Sequence, residues 1–275
     1  MTATVSAASI VCMAVSCLTG LAIPLVLFLY LRKKKNADVL PFFVGCGVML
    51  LFAFILESAF HRIVLGTFTG TVIQNNPWLY AIYGGLAAGL FEETGRLLAF
   101  KTVLRKNLGK NVNALMYGAG HGGIEAVVLL SLTMVNNLIL SIMMNTGSIS
   151  LITGSLSGEA LAQTETALEA LATTPASLFL VGALERLIAV TLQIALSVLV
   201  WFAAKNRKQW FLYPAAILIH FVVDAAAVLL SSYQAPVFLI EGVTLVLTLL
   251  TVLFAKKVWE MNPEEPEEDI LPEEI

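Results

Sequence analysis

WFLYPAAILIHFVVDAAAVLLSS, residues 210–232, is an apolar run in which only His220 and Asp224 can carry a charge near neutral pH. A helix rises about 1.5 Å per residue, so a run of this length can cross the roughly 30 Å hydrocarbon core of a bilayer. Similar runs recur along the chain, which is 58% hydrophobic and only 13% charged. A soluble domain carries about 25% charged residues. The sequence therefore predicts an all-α, polytopic transmembrane helical bundle, a multi-pass protein of the cell membrane.

The apolar runs predict about seven spanning helices. Their expected bounds are 5–31, 38–61, 78–104, 112–144, 177–204, 210–232 and 236–255. The first run is too long for the apolar region of a signal peptide and has no basic segment before it, so we expect no cleaved signal. The fourth run is longer than a bilayer requires, which predicts that it tilts, breaks or leaves the membrane before Asn145.

Basic residues are concentrated on one side of the predicted spans. Short cytoplasmic loops carry an excess of Lys and Arg, so this side is predicted to be cytoplasmic, with the N-terminus outside and the C-terminus in the cytoplasm. The topology rule already accounts for these basic residues, so we expect no binding of nucleic acid. The expected partner is the lipid bilayer. These basic residues are 13 of the 16 Lys and Arg residues, namely Arg32, Lys33, Lys34, Lys35, Lys101, Arg105, Lys106, Lys110, Lys205, Arg207, Lys208, Lys256 and Lys257.

Three groups of ionisable residues interrupt the apolar runs. A charge at the centre of a spanning helix costs roughly 2.5–3.5 kcal/mol on insertion scales, so such residues usually mark a function. Counted from the predicted cytoplasmic helix ends, all three groups lie about 14–18 Å deep, so we expect them to meet near mid-bilayer. The groups are Glu92, Glu93 and Arg96 in helix 3, His121 and Glu125 in helix 4, and His220 and Asp224 in helix 6.

The spacing within each group predicts contacts. Each histidine has a carboxylate four residues later, which can orient that imidazole or one on a neighbouring helix. Arg96 can pair with either Glu92 or Glu93 and would offset the repulsion between them. Many small residues surround the groups and would let the helices approach closely. Two glutamates, two histidines and an arginine favour a water-activating site in a membrane-embedded hydrolase, while a polar network that only fixes helix register is the structural alternative.

Other polar segments leave their roles open. Glu57 and His61 are four residues apart at the outer end of helix 2, and Glu185-Arg186 in helix 5 is either a structural ion pair or an auxiliary part of the site. Glu241 is expected at the membrane interface. Residues 158–173 have Leu at helical spacing, which predicts an amphipathic helix that covers the bundle or touches a substrate, or simply a solvated connection.

Four motifs, each in its own predicted span, together indicate a family. They are FEETGR at Phe91–Arg96, HGGIE at His121–Glu125, ER at Glu185-Arg186 and HFVVD at His220–Asp224. This ordered set resembles the CAAX-protease and bacteriocin-processing superfamily of intramembrane proteases, and within it the YhfC family of membrane peptidases. The main superfamily pattern has three residues between the second glutamate and the arginine. Here only Thr94 and Gly95 intervene, which is similar to the YhfC and PrsW branches and leaves the transfer of catalytic roles open.

The resemblance implies an intramembrane endopeptidase that cleaves membrane-associated or hydrophobic peptide substrates. On this hypothesis His121, His220 and Glu93 bind a divalent metal, expected to be zinc, and Glu92 takes the proton of the attacking water. The two glutamates could exchange these roles, and Arg96 orients them or stabilises the oxyanion. A metal-free site, in which glutamate and histidine activate water together, uses the same residues. Supporting roles are expected for Glu125, Asp224, Glu185 and Arg186.

Two other functions would use the same buried network. One is a proton or solute transporter, although the chain has no internal sequence repeat of the kind that transporters often show. The other is a catalytically silent scaffold that binds a partner membrane protein. For the domain organisation we predict a single integral-membrane domain over 1–257, with a catalytic core at about 78–232 and an outer loop at 145–176. An acidic, disordered cytoplasmic tail is predicted over 258–275.

Overall fold

The computed structural model describes residues 4–264, and within that range all regular secondary structure is helical. Each predicted helix is present with ends within five residues of the expected bounds. The predicted acidic tail lies mostly outside the described residues. The seven long helices are α1 Ala7–Lys35, α2 Leu40–Leu65, α3 Pro77–Lys101, α4 Val112–Asn145, α5 Ala176–Lys205, α6 Leu212–Ser232 and α7 Val237–Glu260. Short helices lie between them at Phe68–Gln74, Ser150–Thr153, Arg207–Gln209 and Gly158–Thr173.

Of the helices described, six are long and apolar enough to cross a membrane, and α3 is the long helix not among them. α3 has 25 residues, but Glu92, Glu93 and Arg96 lower its hydropathy. Many large apolar side chains on the outer faces of the helices are exposed, as lipid contact requires. The prediction of an all-α, polytopic transmembrane bundle is confirmed. The count of about seven spans and the orientation of the termini stay predictions.

α5 is the central helix of the bundle. In its most apolar stretch 72% of the residues are buried, compared with 17–33% in the other five candidate spans. Trp201, Leu196 and Leu199 are fully buried in the largest apolar cluster. α3, α4 and α6 all pack against α5. The three helices that carry the predicted site residues are therefore arranged around one buried core helix.

Glycine allows neighbouring helices to pack backbone to backbone, and the pairs α2–α4 and α3–α6 are two examples. A Cβ atom on Gly120 of α4 would lie 2.0 Å from the carbonyl oxygen of Phe42 in α2. A Cβ atom on Gly89 of α3 would lie 2.8 Å from the carbonyl oxygen of Ile217 in α6. Real Cβ atoms do not approach this closely, so only glycine permits these contacts. The second pair places the Glu92-Glu93 segment beside the helix that carries His220.

Gly45→Ala in α2 should destabilise the bundle by about 1–3 kcal/mol, because overpacking against backbone cannot relax easily. Its Cβ would lie 2.3 Å from the carbonyl oxygen of Tyr117 in α4. Gly47, on the same helix, has no described atom within 4 Å of such a Cβ, so Gly47→Ala should be neutral or stabilising by up to about 1 kcal/mol. Thermal unfolding of both variants in one detergent measures the difference. Equal transition temperatures would show that α2 does not pack on α4 at Gly45.

Two spans contain a π-helical segment. They are Leu50–Glu57 in α2 and Val127–Leu132 in α4. Single π turns inside α-helices frequently occur at functional sites. The segment in α4 begins two residues after Glu125, and the helix then continues to Asn145. The long fourth helix therefore changes pitch locally. It does not break, which was one of the predicted alternatives.

The predicted amphipathic helix is present at Gly158–Thr173. Its Leu168 and Leu171 are 2% and 8% exposed and belong to an apolar cluster with Val5 and Met13 near the start of α1. The helix also contacts the last part of α4. It therefore covers one end of the bundle, as one of the predicted alternatives proposed.

Asp38 joins two loops at the opposite end of the bundle. Its carboxylate accepts hydrogen bonds from Asn107 Nδ2 at 3.0 Å, Asn113 Nδ2 at 2.9 Å and Lys110 Nζ at 3.0 Å. Burial acts to raise the pKa of Asp38, but these hydrogen bonds and the Lys110 charge outweigh it. The pKa of the Asp38 carboxyl is therefore below its ordinary value of 3.8. The carboxylate form thus ties the α1–α2 loop to the α3–α4 loop.

Asp38→Asn should remove the contribution that the Asp38 carboxylate makes to the free energy of unfolding, and this contribution depends on pH. Because the folded-state pKa is lowered, this contribution is present above the unfolded-state pKa of about 3.9 and is lost as the pH falls through the folded-state pKa. Wild type should therefore unfold at a higher temperature than the variant near neutral pH, and the gap should narrow as the pH falls below about 4. Thermal unfolding at a series of pH values checks this. A constant gap would contradict it.

Candidate active site

The three groups of ionisable residues meet between α3, α4 and α6. Nε2 of His121 lies 3.0 Å from Oε2 of Glu92, and Nδ1 of His220 lies 2.8 Å from Oε1 of Glu93. His121 and Glu93 are 0% exposed, and His220 is 2% exposed. Each histidine is thus paired with a glutamate of α3, and the two pairs lie side by side because Glu92 and Glu93 are adjacent in the chain.

The positive charge of Arg96 compensates the negative charge of Glu93, the more deeply buried of the two glutamates. Its Nη1 donates to both oxygens of Glu93, at 2.7 and 2.5 Å, and both side chains are completely buried. A carboxylate only accepts hydrogen bonds, so the contact with Glu93 requires a proton on Nδ1 of His220. Nε2 of His220 then faces away from Glu93, 3.5 Å from a carboxylate oxygen of Asp224. Asp224 lies at the edge of the site, with 36% of its side chain exposed.

Gln193 of α5 links the two halves of the site. Its Oε1 accepts from Arg96 Nη2 at 2.5 Å, and its Nε2 donates to Glu92 Oε2 at 2.8 Å and to Glu125 Oε2 at 3.2 Å. No role for this residue could be predicted from the sequence. Its signal was weak, a single amide within an apolar stretch of α5. The amide is 4% exposed, so it holds Glu92 in place without reaching a substrate.

Glu125 has a different partner from the one that its spacing suggested. Its Oε1 accepts from Arg186 Nη1 at 2.7 Å, while His121 on the same helix bonds to Glu92. Arg186 also donates to Glu185, whose side chain is 48% exposed at the rim. Arg186 therefore joins the network through Glu125, whereas the structure does not bring Glu185 to its centre.

Tyr117, four residues before His121 on α4, packs against the imidazole of His121. The two rings are stacked, with centroids 5.7 Å apart and planes at 22°. Nδ1 of His121 is buried and has no hydrogen-bond partner within the part of the chain that the structure describes. With Nε2 donating to the Glu92 carboxylate, Nδ1 of the neutral ring is an acceptor.

Glu57 and His61 form a second polar group beside the site. His61 Nε2 lies 3.1 Å from Glu57 Oε1, and its Nδ1 lies 2.8 Å from the hydroxyl of Tyr83 in α3. Glu57 is the last residue of the π-helical segment in α2 and is 9% exposed. The four-residue spacing therefore does make a contact, although it stays separate from the two histidine–glutamate pairs.

The donor set suits zinc in kind, since imidazole and carboxylate are its ordinary ligands. In residues 4–264, however, no three His, Cys, Asp or Glu side chains are grouped to hold a metal ion. Of the predicted ligands, Glu93 already has its two oxygens bonded to Arg96 and His220. The predicted set His121, His220 and Glu93 is therefore close together without forming a metal site in this arrangement.

These observations define a polytopic membrane protein with a buried glutamate–histidine site at the centre of its bundle. The chain belongs to the YhfC intramembrane metalloprotease family, whose model matches residues 19–250. It is 32% identical over 264 residues to the uncharacterized membrane protein YhfC of Bacillus subtilis (strain 168). The aligned region covers 93% of this chain and all of that protein. No solved structure matches the chain. The predicted family and the predicted location, a multi-pass protein of the cell membrane, are confirmed.

Proposed function

We propose that this protein is an intramembrane endopeptidase that hydrolyses membrane-associated or hydrophobic peptides at the Glu92, Glu93, His121 and His220 site. One observation carries the proposal, namely the two histidine–glutamate pairs, at 3.0 and 2.8 Å, inside an apolar helical bundle. Such ionisable groups are costly in a membrane and usually functional. The family description, an intramembrane metalloprotease, supports the same class of reaction.

The contacts support different roles for the two glutamates. Glu93 is completely buried and saturated by Arg96 and His220, so we assign it to holding the His220 ring. Glu92 has 8% of its side chain exposed, and its hydrogen bonds from His121 and Gln193 both reach one oxygen, Oε2. The other oxygen is left for a water molecule. Glu92 is therefore the general base of the proposal, which agrees with the role expected from the sequence.

The reaction is an ordinary peptide hydrolysis. Glu92 removes a proton from water while the water oxygen bonds to the carbonyl carbon of the substrate. The C–N bond then breaks, and the proton passes from Glu92 to the leaving nitrogen. His220 Nε2 faces away from Glu93, and it can donate to the substrate carbonyl oxygen when the ring, whose Nδ1 already carries a proton, is doubly protonated beside Glu93 and Asp224. Arg96 donates to Glu93 and Gln193, so it acts as a positioning residue.

The metal in this proposal rests on the family description. Zinc, held by His121, His220 and a glutamate, is the proposed cofactor, although in the described residues these side chains are hydrogen-bonded to one another and do not form a metal site. The hydrolysis by Glu92 does not require it. A bound zinc would lower the pKa of a coordinated water and supply a nucleophile. Elemental analysis of the purified protein beside a His121→Ala/His220→Ala double variant tests the metal. Zinc that is lost in a folded variant supports these ligands, and zinc retained in full would refute them.

The proposed function is tested by reconstituting the purified protein in vesicles with a set of synthetic hydrophobic peptides of spanning length. Mass spectrometry of the new peptide ends would show cleavage and its position. The proposal expects products that contain one added water per broken bond. Intact peptides throughout, from protein that remains folded and with zinc supplied, would overturn it in favour of the scaffold or the transporter.

A further inference from the structure

A cavity of about 120 Å³ lies between α5, α6 and α7, beside the candidate active site. Arg186 of α5 and Asp224 of α6 line one side of it, and Glu241, Thr244 and Thr248 of α7 line the other. Asp224 is also the neighbour of His220 Nε2, at 3.5 Å. Asp224 therefore connects the cavity lining to the nitrogen of His220 that faces away from Glu93.

Two polar side chains of this cavity are buried without a protein partner. Glu241 is 8% exposed and Thr248 is 1% exposed. Oε2 of Glu241 and the hydroxyl of Thr248 make no hydrogen bond to any group among the described residues. Buried polar atoms of this kind are ordinarily satisfied by water where the space is polar and large enough. Each water occupies about 30 Å³ in the liquid, so the cavity has room for several.

Glu241 is the fifth residue of α7, and its location at the level of the membrane interface stays a prediction. Its side chain is buried, since α7 packs against both α5 and α6. Glu241 and Thr248 are seven residues apart, about 10 Å along the axis of α7. The two unpartnered atoms are therefore spaced along α7, in the same cavity that Asp224 of α6 lines.

We propose that this cavity holds the water that the hydrolysis consumes and delivers it past Asp224 to the Glu92 and His220 side of the site. The inference rests on the proposed function, because a hydrolase inside a bilayer needs water at a depth where lipid excludes it. Glu241 and Thr248 are positioning residues for this water, and Arg186 and Glu185 lie at its rim.

Radiolytic hydroxyl-radical labelling tests for the water without any need for activity. A short X-ray pulse makes radicals from bound water, and mass spectrometry measures oxidation of the adjacent side chains. Leu192 and Leu196 offer a matched pair on α5, since they are 5% and 0% exposed and only Leu192 lines the cavity. Oxidation at Leu192 should be several-fold faster than at Leu196. Equally low rates would overturn the proposal.

A cavity-filling variant tests the supply of water. Ala227 of α6 lines the cavity, so Ala227→Leu should reduce Leu192 labelling and lower kcat by about tenfold, with KM for the peptide unchanged. Val222→Leu, on the exposed face of the same helix, is the control and should change neither quantity. An unchanged kcat despite lost labelling would refute the delivery role.

The two proposals fail in distinguishable ways. If wild type cleaves peptides while Leu192 is labelled no faster than Leu196, the water cavity is refuted and the protease stands. If Leu192 is labelled but no peptide is cleaved, the protease is refuted and the delivery role with it.

Thr248→Val adds a milder check, because it removes a hydroxyl at nearly constant shape and should lower kcat without affecting KM.

Discussion

Glu92→Gln should lower the rate of peptide cleavage by a factor of about 10²–10⁴, because an amide cannot take a proton from water. The variant should remain folded. Its amide oxygen can still accept the hydrogen bond from His121 Nε2, which lies 3.0 Å from Oε2 in the wild type. Cleavage of the synthetic spanning peptides in vesicles measures the rate, and thermal unfolding in detergent checks the fold.

Glu260→Gln is the matched control for this experiment. Glu260 is the last residue of α7, and 64% of its side chain is exposed, so the same chemical change should leave cleavage unaltered. Glu93→Gln gives the complementary result. If that variant were folded and inactive while Glu92→Gln cleaved at the wild-type rate, the roles of the two glutamates would have to be exchanged.

Arg96→Met should destabilise the protein by about 3–5 kcal/mol, the usual cost of breaking a buried ion pair by removing one partner. Glu93 is 0% exposed and would lose the guanidinium that donates to both of its oxygens. Gln193 would lose the same partner at its Oε1. Unfolding in mixed micelles, titrated with a denaturing detergent, measures the free energy of unfolding.

The origin of this loss can be separated from simple packing. In the double variant Arg96→Met/Glu93→Leu no buried charge is left unpaired at this position, so most of the stability should return. Lys256 and Glu260 provide an exposed pair for comparison, 3.8 Å apart with side chains 70% and 64% exposed. Lys256→Met should cost less than about 1 kcal/mol. A loss in Arg96→Met as small as that in Lys256→Met would contradict the buried pair.

The helices could be predicted from sequence because their signal is local. The length of each apolar run and the basic residues at its end set the bounds of α1, α5 and α6 to within a few residues. The common depth of the three ionisable groups follows from the same counting, since every helix residue adds about 1.5 Å. The meeting of His121 and His220 with the glutamate pair therefore required no knowledge of the packing.

The choice of partners could not be predicted in this way. The spacing of His121 and Glu125 allows Glu125 to reach the histidine of its own helix or one on a neighbouring helix, yet His121 bonds to Glu92 and Glu125 bonds to Arg186. The outcome depends on which helix faces meet, and that depends on close approaches such as Gly89 against Ile217. Gln193 escaped notice for the same reason, because a single amide has meaning only once its neighbours are known.

The π-helical segment Val127–Leu132 has a consequence for sequence alignment within the family. A π turn holds roughly one residue more than an α turn. A relative that lacks one residue in this segment can close the turn into a regular α-helix and keep both halves of α4 facing the same neighbours. A one-residue gap there records a change of helical pitch. The same gap beside His121 would rotate its imidazole by about 100° away from Glu92 and dismantle the site.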